Sequence, residues 1–91
     1  MLQNIKLSLR LSNDVFDEEI QSLIDAAKLD LQGGGVAVSK TETPDPLIRR
    51  AITLYVMANF GMANPDSVKY DEAYHNLRQK LSLNSKYNVL E

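Results

Sequence analysis

Three groupings of side chains in this chain could do chemistry, and each departs from the spacing that its chemistry needs. The run Gly33-Gly34-Gly35-Val36-Ala37-Val38-Ser39-Lys40-Thr41 places glycines ahead of a Lys-Thr pair, in the manner of a phosphate-cradling loop. Such a loop needs a glycine directly before the lysine, so that successive backbone N–H groups wrap the phosphate, and a helix opening just after it. Ser39 precedes Lys40 here, and Pro44 and Pro46 follow Thr41. What remains is a glycine helix stop followed by a loop. The acidic group Asp14, Asp17, Glu18 and Glu19 lacks the alternating ligands, glycine turn and terminal bidentate Glu of a Ca²⁺ loop. Its charges suit the positive end of a helix dipole instead. His75, the single histidine, has no cysteine or second histidine to complete a zinc site and no nucleophile beside it. No catalytic residues, cofactor site or metal site are expected, and an enzyme is the weakest functional class for this chain.

Those groups must be carried by a small scaffold. The chain has 91 residues, no cysteine, and twelve acidic against ten basic side chains. One domain with a modest core is expected. Without thiols there is no disulfide framework, and a reducing compartment is the simpler expectation. The N-terminal segment does not read as a signal peptide, and no apolar run approaches the roughly 20 residues that span a bilayer. A net charge of −2 lacks the basic excess of free-standing nucleic-acid binders.

The fold class expected is all-α, a small bundle-like single domain of four helices near residues 2–10, 15–32, 46–61 and 66–81. The first is ambiguous between helix and strand, but β-branched residues are scarce and no partner strand follows. In the second, Asp14 is a plausible N-cap and Phe16, Ile20, Leu23, Ile24, Ala27 and Leu31 form one stripe. The third carries its start, body and stop together: Asp45 as cap, Pro46 at the first position, Gly61 as stop. Asn64-Pro65-Asp66 turns the chain into the fourth, whose stripe is Tyr70, Tyr74, Leu77 and Leu81. Residues 33–45 read as a long flexible loop without helical period, and residues 82–91 as an extended or frayed tail. The core is expected at Ile20, Leu23, Ile24, Ala27, Leu47, Ile48, Ala51, Ile52, Tyr55, Tyr74 and Leu77.

From Ala51 to Ala58 apolar residues surround the third helix, interrupted only by Thr53. A helix apolar on all sides must be covered on all sides, either by the rest of a compact bundle or by a second copy of the chain. Arg49 and Arg50 sit near its start, where their charge opposes the dipole; they are either solvated surface or contacts to acidic groups or phosphates of a partner. Met57, Phe60 and Met62 do not share a face with Tyr55. Together Arg49, Arg50, Met57, Phe60 and Met62 form the candidate interface to a neighbouring subunit or other partner.

Two blocks carry a resemblance. Phe16-Asp17-Glu18-Glu19-Ile20 runs into Leu23-Ile24-Asp25-Ala26-Ala27. After the glycine-bearing loop come Asp45-Pro46-Leu47-Ile48-Arg49-Arg50-Ala51-Ile52, Ala58-Asn59-Phe60-Gly61 and Asn64-Pro65. Their order and spacing resemble the small head-tail connector proteins of tailed phages and prophages, over the stretch from Ile5 to Leu81. The resemblance implies an all-helical structural adaptor that forms a homo-oligomeric ring beneath the portal and joins the DNA-filled head to the tail. It implies a portal protein and a tail-side completion protein as partners, and DNA passing through the channel without sequence-specific binding. It further implies a place at the head-tail junction of the virion, with the host cytoplasm as the site of assembly. The alternative is a small helical DNA-binding regulator, which would need a short helix-turn-helix and a polar or basic recognition helix. The third helix is too apolar for that role.

Overall fold

The computed structural model describes residues 1–60 and 65–88. These form five helices: α1 (Leu2–Ser8), α2 (Asp17–Gly33), α3 (Val38–Glu42), α4 (Pro46–Asn59) and α5 (Ser67–Leu83). The fold is all-α, and the one extended pairing among the described residues is an isolated antiparallel bridge between Val36 and Asn88. The extents of 42 × 24 × 18 Å leave two helix layers across the thinnest direction, at about 10 Å each.

The central element is α4. It packs most extensively on α5, then on α2, with a smaller contact to α1. Every residue from Ala51 to Ala58 is buried or half-buried. The chain therefore covers much of its own apolar helix, leaving Thr53, Tyr55, Met57 and Ala58 half-buried. Against α4, α2 buries Ile20, Ile24, Ala27 and Leu31, and α5 contributes Tyr74 and Leu81. Ile5, Val36 and Tyr87 complete the buried set from the short elements. Of the expected core, Leu23, Tyr55 and Leu77 pack at its edge, Tyr55 edge-on to Tyr74 with ring centroids 5.2 Å apart.

Four expectations are corrected. Leu47 is 49% exposed although it shares a side of the helix with buried Leu54, seven residues on; it is the second residue of α4, at the end of the bundle's cover. Asp14 does not cap α2. Phe16 occupies that position, and the Asp14 carboxylate accepts from Lys6 Nζ at 2.8 Å instead. The interval between α2 and α4 is not an aperiodic loop throughout: it contains the single turn of α3, too short for a hydrophobic period to register. There Gln32 Nε2 donates to buried Thr41 Oγ1, which donates to the Val38 carbonyl. Nor is the tail extended or frayed as far as Asn88. The helix runs to Leu83, Asn84 and Asn88 bracket a turn, and Tyr87 is 2% exposed.

The glycine run stops α2 as expected. Gly35 takes φ +101°, a left-handed conformation that L side chains avoid. At Gly34 a Cβ would stand 2.8 Å from the Arg78 guanidinium carbon, so the absence of a side chain admits α5 close to the end of α2. Gly61 and the turn residue Asn64 lie outside the described residues.

Ile24, 1% exposed, sits in the α2 face that covers α4. Ile24→Ala should lower the unfolding free energy by about 2–5 kcal/mol in urea titration. A change under about 0.5 kcal/mol would place this side chain outside the core.

Candidate assembly surface

The surface is positioned by the start of α4. Asp45, in extended backbone conformation, directs Oδ1 at the Leu47 and Ile48 N–H groups, which donate to it at 3.0 Å each. Pro46 fills the first position, where a missing N–H loses nothing. The other carboxylate oxygen, Oδ2, accepts from Tyr87 Oη at 2.5 Å. One side chain thus caps α4 and ties down the C-terminal segment, which is also joined by the Ala37 N–H donating to the Tyr87 carbonyl at 2.8 Å.

With its start held, α4 presents one least-covered strip. Arg49 and Arg50 are exposed on it, followed by half-buried Thr53 and Met57 at spacings of three and four that stack them along one side. Thr53 Oγ1 donates to the Arg49 carbonyl. Phe60, just past the helix, is half-buried, and its ring meets Phe16 edge-on with centroids 5.4 Å apart. The structure therefore brings Arg49, Arg50 and Met57 onto one strip and turns Phe60 toward the start of α2. Met62 lies outside the described residues. Neither arginine forms an ion pair among the described residues.

Three polar clasps hold the elements around this strip, and none was singled out by sequence spacing. Lys6, with its side chain 5% exposed, places Nζ 2.8 Å from Asp14 Oδ1 and 2.9 Å from Asp17 Oδ1, fastening α1 to the start of α2. The bond to Asp14, then that to Asp17, raises the lysine pKa. Lys6 in turn holds the Asp14 carboxyl below its ordinary range. Asp30 of α2 accepts from Tyr74 Oη through Oδ2, which also forms an ion pair with Arg78 at 3.1 Å, while its carbonyl accepts from Arg78 Nε at 3.3 Å and Nη2 at 3.1 Å. Burial first, and the Asp30 carboxylate second, push the Tyr74 phenol upward. The third clasp is Asp45 with Tyr87. The available signals were a lysine flanked by Ile5 and Leu7 and a lone tyrosine in a polar tail, which do not name their partners.

His75 is exposed and paired with Asp71 at 3.4 Å, one helical turn away. Among the described residues no group of three His, Asp or Glu side chains could hold a metal ion, and no helix is long and apolar enough to cross a membrane.

The Asp45 carboxyl is held low chiefly by the Tyr87 hydrogen bond, with the two N–H groups adding to it and burial opposing. A depressed carboxyl pKa supplies stability that is present above the unfolded value, about 3.9, and is lost as pH falls through the lower folded value. Asp14 acts in the same direction. Tyr87→Phe keeps the buried ring and removes the donor. It should lower the urea midpoint at neutral pH and leave a smaller midpoint loss between pH 5 and pH 2 than the parent shows. Equal acid slopes would show that this bond is not the origin of the shift.

Comparison with known proteins adds one match: a family model described as Phage connector protein aligns with residues 1–88. Neither the curated proteins nor the solved structures give a match.

Proposed function

The chain belongs to the phage connector protein family, and from that premise we propose that it is a ring-forming adaptor beneath the portal, joining the DNA-filled head to the tail. The observation that carries this reading is the family match over nearly the whole chain. The structure is consistent with it in three respects. A small bundle that covers its own core is a stable building block, and surface is left for contacts with neighbours. The strip of α4 carries two cations without ion-pair partners among the described residues, which suits recognition of an acidic surface. The small net charge of −2 suits DNA that must slide through a channel, since a strongly basic lining would bind phosphates and retard it.

In this role the partners are further copies of the chain, the portal on one side and a tail-side completion protein on the other. The work is mechanical, extending a channel and presenting a surface, and it calls for no reacting group or cofactor. A DNA-binding regulator would need a recognition helix free to enter a groove. Here α4, the helix best placed for that part, is the central element, packed against both α2 and α5 and buried or half-buried from Ala51 to Ala58.

A null mutant should fill heads with DNA but accumulate heads that are tailless or leak their DNA, together with free tails. Adding the purified protein to such an extract should restore joining, scored by infectious titre and electron microscopy. Normal infectious particles from the null mutant, or altered transcription with intact assembly, would overturn the adaptor reading.

A further inference from the structure

We propose that the outward strips of α2 and α4 are the two halves of one head-to-tail contact between successive copies of this chain, an inference that rests on the ring-forming reading above. Glu18, Ser22, Asp25 and Leu29 follow one another on α2 at spacings of four, three and four, which places them along one side of the helix. All four are exposed, Leu29 at 68%. This side lies away from the Ile20, Ile24, Ala27 and Leu31 edge that covers α4. The strip is acidic with an apolar residue at its C-terminal end. The α4 strip is its complement: exposed Arg49 and Arg50, then half-buried Met57 two turns along, on the least-covered side of that helix.

None of Glu18, Asp25, Arg49 and Arg50 has an ion-pair partner among the described residues; Asp25 accepts only from neutral Gln21, at 3.1 Å. Their charges are thus uncommitted among the described residues. Pairing either strip with itself would oppose like charges, which disfavours an isologous contact. Pairing α4 of one copy with α2 of the next opposes unlike charges. That contact is heterologous, the type that generates a ring when its rotation closes. Complementary charges of this kind set register and exclude wrong pairings more than they add raw affinity. The apolar residues Leu29 and Met57 supply area beside them.

The test is a charge exchange on the full chain, read by sedimentation and native mass spectrometry, with purified portal added as template in parallel. R49E/R50E and E18K/D25K should each weaken self-association at least about tenfold. Because the positions are exposed, circular dichroism should match the parent, while the urea midpoint should fall slightly for E18K/D25K, which loses a favourable charge at the start of α2, and rise slightly for R49E/R50E, which removes unfavourable ones near the start of α4. Mixing the two variants should restore assembly, since every contact between unlike chains is again complementary in both directions. The quadruple variant should assemble alone. If the parent chain fails to associate in any arm, the ring reading falls and this contact falls with it. If the parent associates and either double variant does so equally well, the ring reading stands and the strip assignment is wrong. If both variants are impaired but neither the mixture nor the quadruple variant recovers, the strips meet other surfaces and the pairing is overturned. If R49E/R50E assembles normally but the assembled protein loses retention of a short DNA duplex, the arginines face phosphate and not a second copy.

Discussion

Coverage of α4 is the constraint on which the rest of the structure depends. A helix with apolar residues on all sides has no stable position at the surface of a small protein, so the remaining elements are arranged as its walls. Helices α2 and α5 form the two large walls, and α1 closes a smaller gap. Leu54 and Val56, which flank the Ile48, Ala51 and Ile52 stripe on opposite sides, are both buried, so the covered face of α4 is broad. The energy comes from removing that apolar surface from water, at roughly 25 cal/mol per Å². The directional information comes from polar groups at the edges of the walls.

Those polar groups have a shared logic. Each clasp joins residues that belong to different elements: Lys6 joins α1 to the start of α2, Asp30 joins α2 to α5, and Asp45 joins the start of α4 to the C-terminal segment. In each, an ionised carboxylate accepts from a donor that the fold has largely withdrawn from water. Charge-assisted bonds of this sort are shorter and stronger than neutral ones, and they tolerate little displacement. Apolar contact is non-directional, whereas Lys6 between two carboxylates, and Asp30 and Asp45 each between donors, tolerate little displacement. The clasps therefore fix α1 against α2, α2 against α5, and the C-terminal segment against the start of α4, in a bundle that the hydrophobic contacts stabilise.

How much of this could be read in the sequence depended on the range of each signal. The long helices announced themselves locally: Asp45 and Pro46 start α4, the glycine run ends α2, and stripes at three and four residues mark their buried sides. Helix α3 was missed because five residues cannot display a period of 3.6. Asp14 was read as a cap because the rule weighs only the neighbouring N–H groups. Lys6, eight residues away, offered a full charge. Tyr87 was missed for the same reason on a longer scale, since its partner lies 42 residues earlier. On the candidate surface, spacing identified the two arginines and their helix. It left open how far Phe60 would be covered, which depends on contact with Phe16 at the opposite end of the sequence interval.

The three consecutive glycines, identical as letters, carry unequal information. At Gly33 nothing lies within 4 Å of where a Cβ would stand, so the space around it makes no demand for glycine. Gly34 records a distance: it is the gap through which Arg78 reaches the Asp30 carbonyl. Gly35 records a handedness, since its φ of +101° is closed to ordinary side chains whatever the room around it. Variation in this triplet should accordingly be graded, free at the first letter, coupled to the length and flexibility of the residue at 78 for the second, and restricted at the third. A change at the middle glycine would be compensated on another helix, not beside it in the chain.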